Sequence, residues 1–98
     1  MDPPFLVSTP KPISYPQWAL RQGWEGRLSI AVEVLKDGHV GRMQVMQSTG
    51  YRLLDEAATK AVRTWKFHPA MKNGQAIVEC VQIPVTFKIS TGSLRDGY

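Results

Sequence analysis

The sequence predicts an α+β fold in which a three-stranded antiparallel sheet, with spatial strand order 2-1-3, carries two helices on one face. Residues 27–34 and 81–89 alternate apolar and polar side chains, as half-buried strands do. An Asp-Gly dipeptide follows the first of these segments, which is typical of a hairpin turn. Between them, residues 52–66 repeat apolar side chains at helical spacing. The predicted topology is α-β-β-α-β.

The composition fits one small globular domain with an arm. The chain has 98 residues, of which 43% are hydrophobic and 20% charged, enough for a single core. Because five of the seven prolines fall within the first sixteen residues, we expect residues 1–13 to be a proline-rich arm or linker remnant. The folded domain is then 14–90 and the flexible tail 91–98. No run of about eighteen apolar residues predicts a membrane span, and either a free-standing domain or an excised piece fits this sequence.

The net charge of +4 allows an anionic partner. However, the lysines and arginines are scattered along the chain and never form a run. A nucleic-acid module concentrates its charge on one face or interleaves it with aromatic side chains. The charge pattern therefore favours an ordinary solvated surface and disfavours nucleic acid as a partner.

A short helix is predicted from Pro16 to Gln22, since proline suits a first helical turn and Gly23 ends it. Its inward side chains are expected to include Trp18, Ala19 and Gln22.

The hairpin follows. Its first strand directs four aliphatic side chains inward: Leu28, Ile30, Val32 and Val34. After Asp37-Gly38, the return strand is less regular, because Val40 and Met43 are separated by a step of three across Gly41. This step predicts a β-bulge.

The long helix is predicted from Arg52 to Lys66, with Asp55 and Glu56 in the first turn, where the helix dipole favours negative charge. Pro69 prevents its continuation. Its apolar face comprises Leu54, Ala58, Ala61, Val62 and Trp65.

The last strand is predicted from Ala76 to Ile89, after an Asn73-Gly74 turn. If all three strands are antiparallel, this strand lies beside the first one and forms an edge of the sheet. Pro84 supports the edge position, because a proline is tolerated in a strand where its missing donor faces no neighbour.

No catalytic or metal-binding constellation is predicted, so we expect neither an enzyme nor a cofactor. His39 and His68 belong to no spaced ligand set. Cys80 could act as a nucleophile only with a positioned histidine, and a cysteine in a strand is more often inert packing. Among the tryptophans, Trp65 is expected in the core, while Trp24 stays open between core and surface.

Several short motifs, spread from residue 15 to residue 87, resemble the C-terminal domain of the TonB family. They occur in one uninterrupted order over about three quarters of the chain. In that order they are Tyr15-Pro16 with Ala19, Gly23 and Gly26, Asp37-Gly38 with Val40, Ser48-Thr49-Gly50, Leu54-Asp55 with Ala58 and Ala61-Val62, Trp65-x-Phe67-x-Pro69-Ala70, Gly74, and Pro84-Val85-x-Phe87.

The resemblance implies a periplasmic domain of a Gram-negative energy transducer whose full-length form is anchored in the inner membrane by a helix absent from this chain. ExbB and ExbD would drive it with the proton gradient. Its partners would be TonB-dependent outer-membrane transporters for siderophore- or cobalamin-type nutrients, recognised through their TonB box. The alternative is a TonB- or TolA-like paralogue that binds a different cell-envelope protein. A homodimer is also compatible with the resemblance.

The same resemblance implies binding by β-strand addition along the last strand. If the main chain of Pro84 faces the open edge, so does that of every second residue, which gives a predicted binding set of Cys80, Gln82, Pro84, Thr86 and Lys88. In the family, the segment beside the Tyr-Pro motif lies near the bound peptide, which adds Ser14, Tyr15 and Pro16. For Tyr15-Pro16, the start of a helix is an equally good interpretation.

Overall fold

The computed structural model describes residues 2–7 and 13–89, so the predicted tail at 91–98 lies outside the described residues. The elements in chain order are β1 (Phe5–Leu6), α1 (Gln17–Gln22), β2 (Gly26–Val34), β3 (Val40–Gln47), α2 (Arg52–Val62), β4 (Phe67–His68), β5 (Ala70–Lys72), β6 (Gln75–Ile77) and β7 (Glu79–Phe87). Within the described part of the chain, neither helix is long or apolar enough to cross a bilayer.

The central sheet has the antiparallel strand order β3-β2-β7, which confirms the predicted 2-1-3 arrangement. The β2–β7 register is unbroken, whereas the β2–β3 register shifts twice. One shift lies between Val32 and Val34 and spans Gly41, where the bulge was predicted. The carboxylate of Glu33 accepts a hydrogen bond of 3.1 Å from the main-chain N–H of Arg42 there, which supplies the bulged backbone with a partner.

The core lies between one face of this sheet and both helices. The four inward side chains of β2 are at most 2% exposed. Buried against them, α1 contributes Ala19, and α2 contributes Leu54, Ala58 and Val62. This arrangement confirms the α+β class with two helices on one face.

Two side-chain expectations for α1 were wrong. Ala19 is buried, but Gln22 is exposed and Trp18 is 56% exposed. The helix has only six residues and directs a single small side chain into the core, so no inward stripe forms.

The long helix ends at Val62 instead of Lys66. Beyond it, Phe67 donates its N–H to the Gly38 carbonyl at 2.9 Å, and Lys66 forms a bridge with His39. This pairing with the hairpin turn replaces the last helical turn. Trp65, just after the helix, is partly buried and packs against the core, as expected of a core tryptophan.

The predicted last strand is two strands, β6 and β7, separated at Val78. The Asn73-Gly74 turn is present, with both residues at positive φ, and it joins β5 to β6. A short strand, β1, also occurs within the segment predicted to be an arm, and it pairs with β4.

Candidate protein-binding edge

One long side of β7 has no strand partner among the described residues. On its other side, β7 pairs with β2 from Gly26↔Phe87 to Val34↔Glu79. Pro84 stands opposite Ser29 in this register. Because proline has no N–H, this pair cannot exchange two main-chain hydrogen bonds, so it fits the non-hydrogen-bonded type, in which the Pro84 carbonyl points away from β2.

Three other predicted residues lie an even number of positions from Pro84 along β7, namely Cys80, Gln82 and Thr86. Their partners on β2 are Glu33, Ala31 and Arg27. By the alternation of strand backbones, their N–H and C=O groups point to the same side as the Pro84 carbonyl. Lys88 lies one residue beyond the end of β7, so it extends this row only if the strand is prolonged.

The side chains of β7 divide between the two faces of the sheet. Val85 and Phe87 are buried, and Val81 and Ile83 are half-buried against the core. The predicted binding residues within β7, namely Cys80, Gln82, Pro84 and Thr86, are all exposed on the opposite face. There, Ser29 donates a 3.3 Å hydrogen bond to the Gln82 side-chain oxygen, and Cys80 borders a shallow hollow of about 370 Å³ beside Glu33 and Arg42.

Tyr15 lies at the C-terminal end of β7. Its ring packs edge-on against Phe87, with ring centres 5.1 Å apart, and its hydroxyl donates to the Trp24 carbonyl. Burial and the negative charge of Glu25 raise the pKa of Tyr15, so its hydroxyl stays protonated as a donor. The structure therefore brings Tyr15 to the end of the candidate edge.

Pro16 begins α1, since its carbonyl accepts the Leu20 N–H at 3.0 Å. With Ser14, it lines an open groove of about 480 Å³ along the outer side of α2, beside Leu53, Ala57 and Ala61. Of the three predicted residues in this segment, Tyr15 alone has a described contact with β7.

Two contacts near this end were not expected from the sequence. Glu25 accepts a 2.8 Å hydrogen bond from the Ile89 N–H, just beyond β7. Trp24, which the sequence left open, is partly buried and stacks on Tyr51 with ring centres 4.6 Å apart. No local sequence pattern predicts either contact, because each joins residues distant in the chain.

The remaining reactive side chains do not converge. His39 is exposed and pairs with Asp37 at 2.9 Å. Hydrogen bonds from the His39 N–H and ring lower the pKa of Asp37. His68 is exposed, and its ring stacks on Phe5. Within residues 2–7 and 13–89, no group of three His, Cys, Asp or Glu side chains is placed to hold a metal.

Residues 11–89 match the family described as Gram-negative bacterial TonB protein C-terminal. The chain is 42% identical to Protein tonB2 of Pseudomonas aeruginosa over 76 residues, which cover 78% of this chain and 28% of that protein. It is 32% identical to Protein TonB of Vibrio cholerae over 89 residues, covering 91% of this chain and 36% of that protein. The chain thus spans about a third of the length of these relatives.

Among solved structures, the fold is similar to the solution NMR structure of the Pseudomonas aeruginosa TonB CTD. The TM-score is 0.75 at 26% sequence identity, and the match covers 90% of this chain and 88% of that one. The sequence matches and the structural similarity therefore indicate the same family.

Proposed function

Because the chain belongs to the family of Gram-negative bacterial TonB protein C-terminal domains, we propose that it docks on the TonB box of outer-membrane transporters by adding their peptide as a strand to β7. The family consists of protein-interaction domains of energy transducers and is not enzymatic.

The observation that carries the proposal is the open side of β7. An unpaired edge strand is an aggregation hazard unless it is covered or used. Here the edge is nine residues long and is interrupted by a proline only at position 84. A peptide strand laid along it would receive main-chain hydrogen bonds from Cys80, Gln82 and Thr86, while Pro84 would only accept.

The half-buried side chains of β7 add a second contribution. Val81 and Ile83 already pack against the core on the helix face, and apolar side chains of an added strand would cover their exposed parts. Burial of apolar surface contributes about 25 cal/mol per Å². A peptide with alternating apolar residues is therefore favoured over a uniformly polar one.

The expected affinity is moderate. Four to six main-chain hydrogen bonds contribute about 1 kcal/mol each, and association opposes them with an entropic cost of several kcal/mol. With the apolar burial included, the dissociation constant is expected near the micromolar range. Such an affinity suits a partner that must be released after each transport event.

The same proposal places the domain in the periplasm, as part of a longer protein anchored in the inner membrane and driven by ExbB and ExbD. Its energy input would serve nutrient uptake of the siderophore or cobalamin type. A secondary hypothesis is that the domain forms a homodimer through its open edge. The same NMR experiments test it, because the amide signals of a dimer interface would change with protein concentration.

The proposal is tested by a two-dimensional NMR titration of the ¹⁵N-labelled domain with TonB-box peptides from the same organism. We expect amide shifts concentrated on residues 80–88 and near Tyr15. Gln82→Pro removes one N–H that points away from β2, so it should weaken binding about tenfold. Gln82→Ala keeps that N–H and serves as the matched control with near-normal affinity.

Two results would overturn this assignment. Equal affinity for the proline and alanine variants would mean that the β7 backbone does not hold the peptide. A flat titration across several TonB-box peptides would keep the family but move the function to a different cell-envelope partner. Binding should also depend only weakly on salt, unlike that of a nucleic-acid module.

A further inference from the structure

The segment Asp2–Val7 lies antiparallel along Lys66–Met71, outside the three-stranded sheet that contains β7. We call these two stretches the internal ligand and the acceptor edge. Every contact between them keeps one constant register. Asp2 and Met71 exchange two main-chain hydrogen bonds, of 2.8 Å from the Asp2 N–H and 2.9 Å from the Met71 N–H. Phe5 lies opposite His68, and Leu6 lies opposite Phe67. The Val7 N–H donates to the Lys66 carbonyl at 3.2 Å.

The two sides of this pairing are anchored very differently. In the acceptor edge, Phe67 is 3% exposed and belongs to the core cluster, so the core holds this edge in place. In the internal ligand, Phe5 is 57% and Val7 56% exposed, and neither belongs to the core cluster. Loss of the internal ligand would therefore expose an edge without opening the core.

The chemistry of the acceptor edge matches an extended peptide that contains proline. Extending the register of β1 and β4 places Pro4 opposite Pro69, and neither residue has an N–H to donate. One position further on, the Phe5 ring stacks flat on the His68 ring, with centres 4.8 Å apart and planes 6° from parallel. The site thus accepts a proline followed by an aromatic residue.

We propose that the acceptor edge is a second strand-binding site, separate from β7, which is closed by the internal ligand and opened when an extended partner peptide bearing a proline followed by an aromatic residue displaces it. The proposal goes beyond the function assigned to β7 and stands independently of it. A domain with both edges engaged would hold its partner at two places, which increases avidity.

Displacement is energetically accessible. The internal ligand is held by a few main-chain hydrogen bonds, each a net contribution of about 1 kcal/mol, and by one exposed ring stack. Ordering its backbone costs about 1 kcal/mol per residue. The closed and open forms therefore differ little in free energy, as expected of a segment at the low-stability end of a fold.

The test uses the full chain and a synthetic hexapeptide with the sequence of residues 2–7, blocked at both ends. In the wild-type chain, the tethered segment competes at an effective concentration on the order of millimolar, so the peptide should cause only small shifts. The double variant Phe5→Ala, Val7→Pro loses the stack and the N–H that bonds Lys66. It should bind the peptide at least about tenfold more tightly than wild type.

The expected signature is a set of amide shifts at Lys66–Met71, while the signals of β2 stay unchanged and show that the variant is folded. Val78→Ala, at another exposed valine, is the matched control and should behave as wild type. A peptide with its phenylalanine replaced by alanine should bind more weakly. The proposal is overturned if the double variant shows no shifts at Lys66–Met71 or shows them only at residues 80–88. A concentration-dependent dimer of the wild-type chain, with these amides still protected, would also overturn it, because the occupant would then be a second copy.

Discussion

At the scale of single residues, the turn at Gly38 connects two parts of the fold that are distant in sequence. Gly38 has a φ of +89°, and its carbonyl accepts the Phe67 N–H at 2.9 Å. A β-carbon on Gly38 would lie only 2.0 Å from the Phe67 carbonyl oxygen. Glycine is therefore required here both by the backbone conformation and by the close approach of another strand.

Gly38→Ala should accordingly destabilise the domain by about 3 kcal/mol or more, since strain at positive φ adds to a clash with main chain. Gly74→Ala is the matched comparison. Gly74 also has positive φ, at +79°, but no heavy atom lies within 4 Å of the added carbon, so its cost should be about 1 kcal/mol. Urea unfolding followed by tryptophan fluorescence measures both, and equal losses would show that the contact with Phe67 is unimportant.

At the scale of elements, α2 is tied to the preceding loop by the side chain of Asp55. Its carboxylate accepts hydrogen bonds from the Thr49 N–H at 3.0 Å, the Thr49 hydroxyl at 2.7 Å and the Ser48 hydroxyl. Burial opposes ionisation of this group, but these hydrogen bonds outweigh it and lower the pKa of Asp55. Asp55 thus holds the Ser48-Thr49-Gly50 loop against the first turn of α2. The N-cap residue of this helix, Tyr51, forms no side-chain cap.

A lowered pKa in the folded state means that the ionised carboxylate stabilises the fold above the unfolded-state pKa of about 3.9. This contribution disappears as the pH falls through the folded-state pKa. Asp55→Asn should therefore cost about 1 kcal/mol near neutral pH, and the difference from wild type should shrink in acid. Glu56→Gln alters an exposed carboxylate of the same helix and serves as control. Unfolding measured from pH 7 down to pH 2.5 checks the trend, and a constant difference across this range would contradict it.

The elements also show how far sequence patterns carry the prediction. The long strands β2 and β7 and the helix α2 were predicted because each has a sustained apolar period, and Pro84 marked the edge strand through its missing donor. The short strands β1, β4 and β5 were not predicted. Phe5, for example, pairs with His68, and this pairing produces no apolar periodicity in the sequence of either segment. Likewise, the end of α2 was misplaced because the pairing of Lys66 with the hairpin turn overrides helical spacing.

The same distinction applies to the candidate site. The alternation of β7 predicted which residues share the open edge, since alternation is a local property of a strand. The contact of Glu25 with Ile89 and the stack of Trp24 on Tyr51 join residues distant in the chain, and only the fold reveals them. Which peptide binds is a property of a partner, so the assignment of Cys80, Gln82, Pro84, Thr86 and Lys88 stays a prediction.

At the scale of the whole molecule, stability is concentrated in β2. This strand is paired on both sides, and its inward side chains are the most deeply buried of the sheet. The β5–β6 hairpin and β1 lie outside the three-stranded sheet and pair only with short neighbours. A domain of this kind opens in parts, from its periphery inward.

Native-state hydrogen exchange should therefore rank the amides of β2 as the slowest, at the free energy of global unfolding. The amides of Phe5–Leu6 and of β5–β6 should exchange several orders of magnitude faster, because their opening leaves the core intact. NMR-detected exchange at several denaturant concentrations measures this order. If the amides of β1 were as protected as those of β2, the N-terminal segment would be an integral part of the cooperative unit.

The packing of Tyr15 on Phe87 has a mechanical consequence. The Tyr15 ring rests on the last residue of β7, while its hydroxyl is held by Trp24. Tension that reaches Tyr15 along the chain is therefore delivered to one end of β7. For a strand docked on β7, a pull along the strand axis loads the row of hydrogen bonds in shear, so that they resist together, whereas a pull across the axis would open them one at a time.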